Sequence, residues 1–154
     1  MTYLFSNIRI TRPEVVLDNI QEDDTLVFIN RANNYELFKD IKARKVLVCR
    51  VNCYEGGYHG REEWKGRELD YFDEFHIAEK IGAVSVENYP KDKVPTTGFA
   101  LYKFYAKQVE VVLINFFPSR DHSTTHWEGH DWDWEQRELD DDIRKGKVKI
   151  LDLR

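Results

Sequence analysis

The chain has 154 residues, 42% of them hydrophobic and 14% aromatic, with 23 Lys and Arg against 28 Asp and Glu for a formal charge of −5. That length is about one domain and buries a core without staples. The negative balance offers no footprint for a nucleic-acid backbone, and no apolar run approaches the ~18 residues that span a bilayer. Two cysteines, Cys49 and Cys53, are too few for a disulfide framework or a paired zinc motif, and read as small, reduced side chains. No secretory leader opens the sequence. The expectation is a single cytosolic domain over residues 1–154, with nothing in the sequence to fix its oligomeric state.

In chain order, Tyr3 to Phe5 is a short apolar opening that ends at Ser6-Asn7. Thr25 to Ile29 is a β-branched and apolar run that ends at Asn30-Arg31. Asn34 to Ala43 carries Leu37, Phe38 and Ile41 at helical spacing. Lys45 to Cys49 is a third apolar run, and the Gly-rich stretch Cys53 to Gly60 is a loop. Glu62 to Ile81 places Trp64, Leu69, Phe72 and Phe75 on a broad stripe, predicting a helix. Val84 to Val86 is a weak strand. Thr97 to Lys107 predicts a helix, Val109 to Phe117 the longest strand, Trp134 to Arg144 a charged helix and Val148 to Leu153 an edge strand. Runs that are continuously apolar are buried on both faces. Strand and helix in alternation then predict an α/β fold: one Rossmann-like domain with a mainly parallel sheet flanked by helices.

In such sheets ligands bind beyond the carboxyl ends of the strands. That rule selects Asn7, Asn30, Arg50 to Asn52 and Asn115. An amide side chain donates and accepts without charge, which suits a nucleotide, but asparagine is also a common turn residue after a strand. Pro95-Thr96-Thr97-Gly98 should open a helix. Thr96 or Thr97 can cap it, Gly98 permits a close backbone approach, and the helix dipole favours an anion there.

Thr125 to Glu135 packs two histidines, four carboxylates and three tryptophans into eleven residues. An imidazole beside a carboxylate exchanges protons near neutral pH. Aromatic walls beside such a base suit a transferase or hydrolase acting on a sugar or nucleotide. His59 and His76 carry no such context, and Arg31, Arg50 and Arg61 read as ordinary surface arginines.

The order of these segments resembles the sialyltransferases that use CMP-sialic acid. Asn7 and Phe28-Ile29-Asn30 look like the two ends of that family's large motif. Pro95-Thr96-Thr97-Gly98, Ala100-Leu101 and Val111 to Phe117 are similar to its small motif. His126-Trp127-Glu128 looks like the end of its third motif, and His130 with Glu135 matches the spacing of its last. The resemblance runs across the chain, although each motif is short. The chain departs from the family in its small size, in lacking glycines around Asn7 and in having no counterpart of the animal enzymes' disulfide.

The resemblance implies an inverting, metal-independent transfer from a CMP-sugar donor to a glycan acceptor, with no further cofactor; the lack of a spanning run leaves at most a loose, peripheral membrane attachment through the acceptor. His130 would be the base, His126 would help the leaving phosphate, and Glu135 would fix local geometry. Asn7, Asn30, Thr96, Thr97 and Gly98 would hold the donor, and Trp127 and Trp132 could stack on its rings. Three rival readings stand beside it. Asp131-Trp132-Asp133 is a spacing that holds Mn²⁺ or Mg²⁺ in metal-dependent glycosyltransferases. His122, His126 and His130 recur every four residues, as the zinc ligands of a metallohydrolase on a helix would, though Ser123, Thr124, Thr125 and Gly129 disfavour a helix. The Trp-rich segment could instead be a non-catalytic nucleotide-binding or protein-binding surface, with Asp140 to Asp142 a solvated helix face.

Overall fold

Six short strands hydrogen-bond side by side in the computed structural model, which describes residues 1–49, 66–73, 86–117 and 128–154. They are β1 (Thr2–Phe5), β2 (Thr25–Ile29), β3 (Arg44–Cys49), β4 (Asp70–Asp73), β5 (Val111–Ile114) and β6 (Lys149–Leu151). Their order is β4-β3-β2-β1-β5-β6, and every neighbouring pair is parallel. The helices are α1 (Glu14–Leu17), α2 (Tyr35–Phe38), α3 (Thr97–Tyr105) and α4 (Trp132–Arg144). The chain is thus an α/β Rossmann-like fold. None of the described helices is long and apolar enough to cross a membrane.

Strand side chains alternate between two cores, as the pleat requires. Tyr3, Phe5, Leu26, Phe28, Leu47 and Ile114 meet Val16 of α1 and Tyr35 and Phe38 of α2. Phe5 stacks on Phe28 at 4.9 Å between ring centroids and tilts against Phe38 at 4.7 Å. On the opposite face Leu4, Val27, Val46, Val48 and Leu113 meet Phe99, Leu101 and Tyr102 of α3 and Leu139 of α4. Each such buried side chain is worth about 1.5–3 kcal/mol. With both faces covered, the strands are apolar along their whole length.

The structure corrects two expectations and adds one short element. Asp70–Asp73, read as part of a helix from Glu62 to Ile81, is an edge strand paired with β3 in the register Val46↔Asp70 to Cys49↔Asp73. The apolar residues of that stretch are irregularly spaced, and an open parallel edge on β3 gives the Tyr71-Phe72 backbone hydrogen-bond partners that helical periodicity would have needed to outweigh. The helix expected from Asn34 to Ala43 is a single turn, Tyr35–Phe38, with Asn34 at its N-cap position and Lys39 already at its C-cap. The turn at Glu14–Leu17 was not foreseen, being too short to show a period.

In a parallel sheet each crossover must return from the carboxyl edge to the amino edge before the next strand starts. The helices α3 and α4 lead into β5 and β6, so both present their N-termini at the carboxyl edge. The sequence reverses its direction of sheet growth between β1 and β5, which makes the ends of those two strands the topological switch point.

Candidate functional site

The loop leaving β1 is fastened by three asparagines. Asn34 donates to the carbonyls of Ser6 and Ile8, both at 2.9 Å, and accepts from Ile10 N–H at 3.1 Å. Asn33 donates to Asn7 O at 2.9 Å. Asn115, fully buried, donates to Arg9 O at 3.3 Å and accepts from Leu153 N–H at 2.6 Å. It thereby ties the segment after β6 to the loop after β1. Asn30 and Asn115 both take positive φ, 51° and 54°, immediately after their strands. Asparagine is enriched in that region, so backbone geometry alone accounts for these two residues. Asn7 differs: its Oδ1 is buried and meets no hydrogen-bond donor among the described residues.

At the start of α3 the sequence-predicted anion site exists, and its anion comes from the protein. Thr96 is the N-cap and its hydroxyl accepts from Phe99 N–H at 3.1 Å. Glu135, fully buried one turn into α4, receives Thr96 N–H at 2.7 Å on one oxygen and the Thr96 hydroxyl at 2.8 Å on the other. A carboxylate at a helix N-terminus is favoured by the dipole and by the unpaired N–H groups. Thr96 is therefore engaged with Glu135, and any nucleotide phosphate must find other donors. Gly98 is buried as well. The space above it is filled by Phe116 and Ile29, so close packing, and not ligand approach, explains the glycine. Thr97 is buried beside it.

Tyr89 joins the two helix starts. Its hydroxyl donates to Glu135 Oε1 at 2.9 Å and accepts from Asp131 N–H at 3.0 Å, while its ring meets Trp134 edge-on at 5.0 Å. Burial, reinforced by the charge of Glu135 and opposed by the Asp131 N–H, holds the phenol well above the usual tyrosine value. Asp131 is the N-cap of α4, accepting from Trp134 N–H at 2.9 Å, and Asp133 lies in its first turn. These positions suit aspartates at a helix start without any metal.

The short segment around Val94 lies along the segment before α4. Val94 N–H donates to Gly129 O at 2.9 Å, and His130 Nδ1 lies 2.6 Å from Val94 O. A carbonyl only accepts, so Nδ1 carries the proton and the neutral ring keeps its lone pair on Nε2. Trp132 meets the imidazole edge-on at 5.2 Å. The structure thus brings His130, Glu135, Thr96, Thr97 and Gly98 into one neighbourhood at the carboxyl edge, with Asn7 and Asn30 at strand ends of the same edge.

His126 and Trp127 lie outside the described residues, as do His59, His76, His122 and Arg50 to Asn52. The sequence reading missed Tyr89 and Asn34. No motif surrounds Tyr89; its one signal was an aromatic residue with a polar tip in a turn just ahead of a proline-led helix. Comparison with protein-family models, with curated proteins and with solved structures finds no match to this chain.

Proposed function

We propose that this chain is a glycosyltransferase of the sialyltransferase type, which moves a sugar from a CMP-sugar to a glycan hydroxyl with inversion and without a metal ion. The observation that carries the reading is the buried, donor-less Oδ1 of Asn7 at the switch point, on the same sheet edge as an imidazole whose tautomer leaves Nε2 basic. A buried acceptor without a donor costs about 1–3 kcal/mol, and a ligand amine or hydroxyl would recover it. The cytosine amine and the ribose hydroxyls are such donors.

In this reading Nε2 of His130 takes the proton of the acceptor hydroxyl as its oxygen attacks the anomeric carbon. The bond from that carbon to the phosphate oxygen breaks, and CMP departs with the electron pair. The leaving phosphate draws on donors away from Thr96, whose N–H and hydroxyl are both held by Glu135. Asn30 borders the nucleotide through its backbone turn.

The test is the melting temperature of the chain with CMP, UDP and GDP, each with and without Mn²⁺. CMP at about 100 times its Kd adds ~2.7 kcal/mol and raises the melting point by a few degrees. The rise should be independent of Mn²⁺ and absent in Asn7→Ala. Stabilisation by UDP or GDP that requires Mn²⁺, with none by CMP, would overturn the reading in favour of the Asp131-x-Asp133 alternative.

A further inference from the structure

We propose that Tyr89 is a positioning residue that sets the orientation and tautomer of His130, acting through Asp131 and Glu135. The proposal extends the transferase reading to a residue outside the sequence motifs, and it rests on that reading for its catalytic consequence alone. His130 is held from two directions. Its ring is tied to Val94 O, and the next peptide along, Asp131 N–H, is tied to the Tyr89 hydroxyl. Val94 precedes the Thr96 cap by two residues, and Thr96 is gripped by Glu135, which the same Tyr89 hydroxyl also contacts.

One oxygen atom therefore holds the segment that carries the imidazole directly, and the segment that carries its carbonyl partner through Glu135. The tyrosine ring packs on Trp134, and Trp134 packs on Phe99 at 5.8 Å, so the hydroxyl is itself fixed by the aromatic layer between α3 and α4. Removing the oxygen alone leaves Asp131 N–H without this acceptor and relaxes the grip on Glu135. The distance from Nδ1 to Val94 O then loses its restraint, and the ring can exchange tautomers or turn. A phenol held protonated by burial keeps its donor role across the working pH range.

The experiment uses the full chain labelled with ¹⁵N, its five histidines resolved, and His130 identified by the signals lost in His130→Gln. At a pH above the histidine range the parent should show His130 protonated at Nδ1. In Tyr89→Phe, and independently in Glu135→Gln, the Nε2-protonated form should rise several-fold. Transfer should fall in kcat by about tenfold, the rate equivalent of one net hydrogen bond, with the donor KM unchanged within about twofold. Tyr102→Phe serves as the comparison. It loses another buried hydroxyl bond, the 2.8 Å donation to Asp142 Oδ2 at the far end of α4, and should leave the His130 spectrum as in the parent.

A folded Tyr89→Phe or Glu135→Gln protein with an unchanged His130 tautomer overturns the proposal. So does an equal His130 shift in Tyr102→Phe, which would show that any loss of stability moves the ring. If Tyr89→Phe does not fold, the Glu135→Gln spectrum decides. Movement of His130 in a protein whose parent transfers no sugar supports the positioning role and rejects the transferase reading, so the two fail separately.

Discussion

The ring of Phe116 occupies the space that a side chain at Gly98 would need. A Cβ at position 98 would fall 2.1 Å from Phe116 Cζ and 2.7 Å from Cε2, with Ile29 Cδ1 at 3.3 Å. Gly98→Ala should therefore destabilise the fold by about 1–3 kcal/mol through overpacking. Phe116→Leu in the same chain should recover part of that loss, since it removes the clashing ring edge. Urea unfolding of the two single variants and the double variant measures the coupling, and strict additivity would contradict the contact.

His130→Ala should lower sugar transfer by about 10²–10⁴-fold, the usual contribution of a positioned base. CMP affinity by calorimetry should stay close to that of the parent, because no role in holding the nucleotide is assigned to this ring. A matching loss of affinity would move His130 from chemistry to binding.

Asp142 carries a pH signature remote from the candidate site. Burial pushes its carboxyl up, but Lys103, the Tyr102 hydroxyl and Lys147 together outweigh burial and hold it below the ordinary aspartate value of 3.8. A carboxyl depressed in the folded state contributes stability above its unfolded value and loses it as pH falls through the folded value. Asp142→Asn should cost about 1–3 kcal/mol at neutral pH. The gap from the parent should narrow only in acid, below the ordinary aspartate range. Stability measured from pH 7 downward in both proteins checks the sign.

Asn115→Ala should be among the more damaging single changes. It removes the bonds to Leu153 and Arg9 and places a Cβ residue at a positive φ with no compensating side-chain bond. About 2–4 kcal/mol is expected from the lost bonds and the strain together. Asn115→Gly, which keeps the backbone freedom, should recover roughly 1 kcal/mol. Equal losses in the two variants would remove strain from the account.

The sheet was legible wherever burial was symmetrical. Thr25 to Ile29 reads as a strand because every residue in it is apolar or β-branched, and the pairing of both its edges is what makes that composition necessary. The start of α3 was legible from Pro95 and Thr96, since capping is local chemistry. Asp70–Asp73 was not, because its strand state comes from the free edge of β3, a partner far away in sequence.

The site was legible as residue types more than as roles. The capped helix start was legible at Thr96, yet the carboxylate that Thr96 meets, Glu135, lies on another helix that only tertiary packing brings near. Likewise Asn30 and Asn115 stood out as strand-end amides. That their φ angles would be positive, and that Asn115 would pin a distant tail, depends on partners no local pattern names.

A strand at the centre of the sheet, β1, precedes both of its partners along the chain. Thr2 lines up with Thr25 on one side but with Val111 on the other, so one flank of β1 stays unpaired until the chain has been made through Val111–Ile114. A nascent or truncated chain ending short of that point displays an apolar ribbon with unmet hydrogen bonds, the kind of surface that recruits copies of itself.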